Sequence, residues 1–298
     1  MSLDDKVRNY LFVLNPISGG KSKKKDHILD AIQRFCLKNN FSFRIYETSG
    51  NNDADTIRDI IYVNDITAVV AIGGDGTVHL VGSILVGTEI PLGIIPTGSA
   101  NGLAKDLNLP LEPEEALKII SRVKPAAIDT LKINNKHSFH ISDIGFNARI
   151  IQRFSDSIIR GKISYLWYGL VEFFSVKPFR YVVETPLLRY EGESFMMIIT
   201  NTNQFGTDVI INPLGKIDDG YFEIIIIKPF TRWVSPDVIV KLLTNSIHRS
   251  RYSKLIRCKE ALISNPDREL LHIDGEPQEI EEKINIKILP KSLWIFKP

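Results

Sequence analysis

The chain of 298 residues has only two cysteines, Cys36 and Cys258. Two cysteines do not make a disulfide framework, so we expect a reducing compartment. The sequence also lacks an uninterrupted apolar run of roughly 18 residues, the length that a membrane-spanning helix needs. The first nine residues are charged and contain no apolar signal segment. Together these absences predict a cytoplasmic protein without a membrane span.

An excess of charge is missing as well. The 37 basic and 35 acidic residues leave a formal net charge of +2, which gives no global field to attract nucleic acid. We therefore expect no nucleic-acid partner. The sequence has no internal repeat and no low-complexity linker, and its length is large for one hydrophobic core, so two domains are predicted.

Strands and helices alternate over the first 120 residues, which predicts an α/β domain with a parallel sheet covered by helices on both faces. Ligands of such sheets bind at the carboxyl ends of the strands. The predicted strands are 10–14, 42–47, 68–72 and 92–95, and the predicted helices are 22–39, 53–63, 76–86, 99–106 and 113–121.

Short strands separated by turns follow residue 124, and this pattern predicts a mainly antiparallel β-sandwich over residues 125–290. A helical insertion is predicted at residues 150–176. Its apolar residues recur at helical spacing, which favours a helix packed on the sandwich, and the alternative is an amphipathic wall of a lipid-entry cleft.

A phosphate-binding pattern follows the buried strand Ala68–Ile72 directly. Its glycines, Gly73, Gly74 and Gly76, let backbone amides approach a polyanion, and the start of the next helix adds a positive dipole end. Asp75 would repel phosphates unless a divalent cation lies between them, so it is interpreted as a metal or metal-water partner. The alternative is a plain strand-to-helix turn.

Three further motifs occur along the chain: Asn15–Gly20 after the first strand, Pro96–Asn101 after the fourth, and Ile273–Pro277 near the end. In this order and spacing, the four motifs resemble those of the diacylglycerol kinase catalytic family, the lipid kinases that also include sphingosine and ceramide kinases. The resemblance spans nearly the whole chain. It implies that residues 291–298 return to the first domain, which then comprises 1–124 and 291–298.

The resemblance implies an ATP-dependent lipid kinase that uses Mg²⁺, phosphorylates diacylglycerol or a related lipid alcohol, and contacts the inner face of the membrane peripherally. The oligomeric state stays open, a homodimer included. The residues expected to bind ATP are Asn15, Pro16, Ile17, Ser18, Gly19, Thr48, Gly73, Gly74, Asp75, Gly76, Thr77, Val78, His79 and Ser99.

Two carboxylates in the last motif, Asp274 and Glu276, are candidates for the base that removes the proton of the lipid hydroxyl. Together with Asp75 they form the predicted catalytic set. An extended chain would place both on the same side, but Gly275 can kink it, and which of the two acts stays open. The alternative is an ordinary hairpin turn with acidic residues.

A structural Mg²⁺ is expected at residues 216–221 because bacterial members of the family hold one there. Matched positions give the Asp219 side chain and the backbone carbonyls of Lys216 and Tyr221 as ligands, and hard oxygen donors suit Mg²⁺. The alternative is a simple turn, since Asp-Gly is a strong turn dipeptide.

Several positions depart from the bacterial pattern: His79 and Leu80 follow the glycine motif, Ser99 replaces threonine, and Gly102 stands where an acidic residue is usual. The departures at His79, Leu80 and Gly102 keep one alternative open, a non-catalytic sensor of lipid or nucleotide. The other alternative, a soluble kinase of NAD or of a sugar phosphate, stays open because such kinases share the Gly-Gly-Asp-Gly string.

Overall fold

A computed structural model describes residues 8–18, 22–155, 177–205, 209–213, 215–231, 237–238, 240–241 and 244–298. It divides the chain into two compact units. Unit 1 comprises residues 1–128 and 291–298, and unit 2 comprises residues 129–290. The sequence analysis places these boundaries after residues 124 and 290.

Unit 1 is built on a parallel sheet. Its strands are β1 (Asn9–Leu14), β2 (Ser42–Glu47), β3 (Ala68–Gly73) and β4 (Leu92–Pro96), in the spatial order β2-β1-β3-β4. Its helices are α1 (Ser22–Asn39), α2 (Asp53–Val63), α3 (Asp75–Leu85), α4 (Gly102–Asp106) and α5 (Pro113–Arg122). Because these strands are parallel, the loops that follow β1, β3 and β4 all lie at the same edge of the sheet.

The strands of unit 1 are apolar because helices cover them. Every residue of β3 and β4 is buried. Tyr10, Phe12 and Leu14 of β1 pack with Ile28 and Ile32 of α1 in one core cluster. Cys36 lies in the same cluster, and burial raises the pKa of its thiol to about 12, so Cys36 is a small core residue.

Unit 2 is mainly antiparallel. One sheet has the order β14-β13-β10-β7-β16-β17, from the strands Ser253–Cys258, Phe222–Ile227, Met196–Thr200, Ile141–Gly145, Leu271–Ile273 and Glu276–Pro277. The other includes β5 (Ala126–Ile133), β6 (Lys136–Ser138), β8 (Phe179–Glu184), β9 (Arg189–Ser194), β15 (Glu260–Ser264) and β18 (Lys283–Ile295). Helix α6 (Phe146–Ser155), a short pair β11 (Gln204–Phe205) and β12 (Val209–Ile210), and a 3-10 helix (Ile247–Arg249) complete the described elements.

Strand β13 shows why this region reads as apolar in sequence. Phe222, Ile224 and Ile226 belong to the larger core cluster of unit 2, whereas Ile225 and Ile227 belong to a second cluster on the opposite face. A strand covered on both faces loses the alternation of polar and apolar residues that marks a half-exposed strand.

The predicted fold class is confirmed: a parallel α/β sheet is followed by an antiparallel sandwich. Two details differ. The sequence analysis divides the chain between the sandwich (125–290) and the returning segment (291–298), but one strand, β18, crosses that boundary; it pairs with β15 and then, at Ile295, in parallel with Leu92 of β4. Helix α4 begins at Gly102 instead of residue 99, because residues 97–101 form the loop after β4.

The predicted insertion at 150–176 overlaps α6, and residues 156–176 lie outside the described part. Among the residues that are described, we find no helix both long and apolar enough to cross a membrane.

Candidate functional site

Backbone hydrogen bonds join the loops at the carboxyl ends of β1, β3 and β4. The Asn15 N–H donates to the Ile72 carbonyl at 3.0 Å, and the Thr97 N–H donates to the Gly73 carbonyl at 2.9 Å. The hydroxyl oxygens of Ser18 and Thr97 lie 3.0 Å apart. Three of the sequence motifs thus form one connected edge in unit 1, where an α/β sheet binds its ligand.

Glycine is required where two of these loops meet. A Cβ on Gly98 would lie 2.4 Å from the Gly74 Cα, and a Cβ on Gly73 would lie 2.1 Å from the Thr77 hydroxyl oxygen. The β3–α3 turn and the loop after β4 therefore touch through backbone alone. No side chain caps the start of α3, whose N-cap is Gly74. A backbone surface of this kind, at a helix N-terminus, suits a phosphate.

Asp75 is the first residue of α3 and is half-buried. Its Oδ1 accepts the Gly102 N–H at 2.6 Å. Asn101, at the preceding position, adopts a left-handed conformation and accepts the Gly98 N–H at 3.0 Å through its side chain. The Asp75 carboxylate is thereby oriented by the backbone at the start of α4.

The loop after β2 contains a residue that the sequence analysis missed. Asp53, at the start of α2, accepts the N–H groups of Ser49 at 2.9 Å and Gly50 at 2.8 Å, and the Tyr46 hydroxyl at 2.7 Å. Burial raises the pKa of Asp53, but these hydrogen bonds outweigh it and hold the pKa below its usual value. Thr48 in the same loop donates its N–H to the Leu14 carbonyl at 2.9 Å.

The last motif forms a hairpin turn between β16 and β17 in unit 2. Asp274 and Gly275 both have positive φ, 48° and 88°, as a two-residue hairpin turn of the I′ type requires, and Ile273 pairs with Glu276. The chain is not extended here, so the two carboxylates do not share one face of a strand. The ordinary hairpin of the alternative describes the backbone correctly.

The two carboxylates of this turn have opposite surroundings. Asp274 is 8% exposed, and its Oδ1 accepts the Ser138 hydroxyl at 2.9 Å and the N–H groups of His140 and Ile141 at 3.0 and 3.2 Å. Its Oδ2 accepts the Phe139 N–H at 2.8 Å. Glu276, in contrast, is exposed. Four donors hold Asp274 as a structural anchor, whereas Glu276 is accessible to a reacting group.

Residues 216–221 are tied into unit 2 by acidic side chains. The buried Asp129 accepts the Gly220 N–H at 2.6 Å. Asp219 accepts the Tyr221 N–H at 3.1 Å through Oδ1 and pairs with Arg257 at 2.6 Å through Oδ2. The carboxylate expected to bind Mg²⁺ therefore already has a cationic partner.

Arg257 is shared with a second carboxylate, because its Nε also lies 3.3 Å from Glu223. Burial raises the pKa of Glu223, although Asn212 and Arg257 oppose the shift. Across the described ranges, no three His, Cys, Asp or Glu side chains are grouped closely enough to hold a metal ion.

Two family models cover the chain. The model of the diacylglycerol kinase catalytic domain matches residues 9–133, and the model of the YegS C-terminal NAD kinase beta sandwich-like domain matches residues 141–297. The chain belongs to the diacylglycerol kinase catalytic-domain family. This membership makes it an enzyme, a lipid kinase that transfers a phosphoryl group.

Relatives of this kinase match most of its length. A protein of Pectobacterium atrosepticum named "Probable lipid kinase YegS-like" is 27% identical over 295 residues, which cover 95% of this chain and 97% of the relative. A protein of the same name from Chromohalobacter salexigens is 28% identical over 239 residues, or 78% and 76% of the two chains. A crystal structure of a diacylglycerol kinase from Bacillus anthracis str. Sterne superposes with a TM-score of 0.74 at 19% identity, over 98% and 97% of the chains, which shows the shared fold.

Most residues predicted to bind ATP lie on the connected edge of unit 1 or next to it. Ile17 is 87% exposed and makes no core contact that would explain an isoleucine there. Thr77 is buried, and its N–H donates to the Gly74 carbonyl at 3.0 Å, so it holds the β3–α3 turn. Gly19 lies outside the described residues of the kinase.

Replacement of Gly98 by alanine tests the close approach of the two glycine loops. We expect Gly98→Ala to lower the free energy of unfolding by about 1–3 kcal/mol, because the new Cβ collides with backbone that no side-chain rotation can relieve. Urea denaturation measures the change. Ser99→Ala, one residue further along and exposed, is the matched control and should unfold like the wild type. Equal stability of Gly98→Ala and Ser99→Ala would show that the loops do not touch in this way.

Proposed function

We propose that this lipid kinase transfers the γ-phosphate of ATP to a hydroxyl of diacylglycerol or a related lipid alcohol at the cytoplasmic surface of the membrane. The observation that carries the proposal is the connected edge of unit 1, where three loops meet through backbone and one carboxylate stands at a helix start. The names of the relatives support a lipid acceptor.

A substrate panel tests this function. Purified protein is incubated with radiolabelled ATP and, in separate reactions, with diacylglycerol, a sphingoid base, ceramide, NAD or a sugar phosphate. We expect a labelled lipid product, with diacylglycerol as the acceptor. Label in NAD or in the sugar phosphate alone would support the soluble-kinase alternative. Nucleotide binding without any transfer would support the sensor. Co-sedimentation with anionic vesicles measures the proposed contact with the membrane.

In this proposal the nucleotide phosphates bind the amides and hydroxyls of three segments. These are 15–18 after β1, 73–79 at the start of α3, and Ser99 after β4, with Thr48 beside them. The glycine backbone allows phosphate oxygens to approach closely, and the N-terminus of α3 stabilises their charge. Phosphoryl transfer depends mostly on such positioning and electrostatic stabilisation.

Asp75 is the proposed partner of the catalytic Mg²⁺. A carboxylate is the hard oxygen donor that Mg²⁺ prefers, and the Gly102 N–H fixes its orientation, so this residue fits the ion. When bound there, Mg²⁺ would neutralise charge on the transferred phosphoryl group. The protein supplies the oriented carboxylate and the amides around it.

Asp75→Asn separates charge from shape. The amide keeps an oxygen that can accept the Gly102 N–H, so the melting temperature should change little. The lipid kinase rate should fall by ~10² or more because the negative charge that would organise the ion is lost. Steady-state kinetics and a thermal melt measure both quantities. A folded variant with wild-type turnover would remove Asp75 from the mechanism.

We propose Glu276 as the base and Asp274 as the anchor of its turn. Four donors occupy the Asp274 oxygens, so this carboxylate is committed to holding residues 138–141. Glu276 is exposed and ionisable on the same turn. A base must reach the proton that it removes, and the exposed carboxylate meets that requirement.

Paired variants test the two roles. Glu276→Gln should lower kcat by ~10²–10⁴ with little change in ATP affinity or in melting temperature, because only a proton acceptor is lost. Asp274→Asn should destabilise the protein by about 1–3 kcal/mol, since its amide group would face N–H donors. Kinetics and urea denaturation of both variants separate the effects. A stable, inactive Asp274→Asn beside an active Glu276→Gln would reverse the assignment.

The Mg²⁺ expected at residues 216–221 is a separate proposal. One carboxylate and two backbone carbonyls form a donor set that suits a hard cation, but Arg257 is paired with Asp219 and would compete with it. We therefore propose that the affinity for Mg²⁺ is low here, because Arg257 competes with the ion for the Asp219 carboxylate.

Thermal melts with Mg²⁺ or with chelator test the competition. Mg²⁺ should raise the melting temperature of the wild type slightly, that of Arg257→Gln by more, and that of Asp219→Ala not at all, because ligand binding to the folded state stabilises it. Asp218→Ala, an exposed neighbour, is the matched control and should behave like the wild type. A melting temperature independent of Mg²⁺ in every variant, Arg257→Gln included, would disprove a metal here.

A further inference from the structure

A buried polar cluster adjoins the turn that carries Glu276. It consists of Asp143 in β7, Asn147 in α6 and His272 in β16, which are 0%, 5% and 1% exposed. His272 and Asp143 are directly opposite each other in the antiparallel pair of β7 and β16. Buried groups of this kind are costly unless all of them are hydrogen-bonded, so the hydrogen bonds of the cluster define what it does.

Hydrogen bonds determine the tautomer of His272. The Gly275 N–H donates to Nδ1 at 3.1 Å, so Nδ1 acts as the acceptor and Nε2 carries the proton. Nε2 lies 2.6 Å from Oδ2 of Asp143 and donates to it; the Asn147 side-chain nitrogen lies 3.0 Å from the same Nε2 and donates to that Oδ2 as well. One ring nitrogen of His272 therefore accepts a hydrogen bond from the turn, and the other donates one to Asp143, which orients the ring.

Asp143 is itself held in place. Its Oδ1 accepts the Ala148 N–H at 2.8 Å in the first turn of α6, and its Oδ2 also accepts the Asn147 amide. A carboxylate near a helix N-terminus is stabilised by the helix dipole and by the unpaired N–H groups there. The chain of contacts runs from α6 through Asp143 and His272 to Gly275.

Gly275 immediately precedes Glu276, and the turn is held from two directions. Asp274 attaches it to residues 138–141, and His272 attaches its next peptide group from inside. We propose that His272 is a positioning residue for Glu276, fixing the backbone of the turn through the Gly275 N–H, with Asp143 fixing the tautomer. This inference rests on the proposed role of Glu276 as the base.

Two substitutions at His272 differ in the one feature that the inference needs. Asparagine offers an oxygen near the position of Nδ1 and can accept the Gly275 N–H, whereas leucine has a similar size and no acceptor. His272→Leu should lower kcat at least tenfold and leave the KM for ATP within twofold of wild type. His272→Asn should restore kcat to within threefold. Ile263→Val, in the core of the same unit, is the control for general destabilisation.

The control decides between positioning and simple support of the fold. If kcat follows the melting temperature alone across His272→Leu, His272→Asn and Ile263→Val, His272 is merely structural and the inference fails. It also fails if His272→Leu keeps wild-type kcat. A loss specific to His272→Leu with recovery in His272→Asn supports it.

Amide exchange gives a measurement that needs neither activity nor a folded leucine variant. In ¹⁵N-glycine-labelled wild-type protein, the Gly275 amide, which donates to His272 Nδ1, should exchange at least tenfold more slowly than the same glycine amide in an unstructured peptide of residues 272–278. Fast exchange of Gly275 would overturn the inference. Glu276→Gln is assayed in parallel: if it keeps wild-type kcat, the base assignment fails, and slow Gly275 exchange still reports whether His272 holds the turn.

Discussion

The contact between Gly74 and Gly98 is the constraint on which the connected edge of unit 1 depends. A Cβ on Gly98 would come within 2.4 Å of the Gly74 Cα, so no other residue fits without moving the backbone. Because the two loops meet at this distance, Asp75 reaches the Gly102 N–H and the Thr97 N–H reaches the Gly73 carbonyl. Phosphate-binding motifs are rich in glycine because backbone without a Cβ can approach closely. Here the glycines allow contact between two loops as well as access of a ligand.

Unit 2 shows how surroundings divide two carboxylates that the sequence presents as equivalent. Asp274 and Glu276 are two residues apart, yet one is enclosed by donors and the other is exposed. A carboxylate surrounded by N–H and O–H groups stabilises its neighbours, because each donor would be left unsatisfied without it. A carboxylate exposed to solvent has no such structural role. The difference follows from the turn, since positive φ at Asp274 and Gly275 directs the two side chains apart.

Local patterns predicted much of the fold. Continuous apolar runs marked β1, β3 and β4, because helices bury both faces of these strands. They failed for β9, whose residues Arg189–Ser194 are mostly exposed and, among the described strands, pair with β8 alone. They also divided β18 at Pro290. That proline lies between the pairing with β15 and the pairing with β4, where the strand changes partner.

The candidate site, like the fold, has parts that the sequence predicted and parts that it did not. Glycine motifs and their order were visible in sequence because each is local. Other contacts join residues that are distant along the chain: Asp274 with its donors, Asp143 with His272, and Arg257 with Asp219. No periodicity encodes such contacts, which arise only when strands pair. Asp53 is an exception: its partners Ser49 and Gly50 lie only four and three residues before it, so this side-chain to backbone contact is local and could have been recognised.

Gly102 illustrates what a departure from a family pattern does and does not change. Bacterial relatives usually have an acidic residue here, and glycine removes that side chain. The contact with Asp75 uses the backbone N–H at the first position of α4, one of the donors that every helix leaves unpaired at its start. Any residue except proline would offer the same donor. The orientation of Asp75 therefore survives the change, and what the chain loses is one negative charge beside its proposed metal ligand.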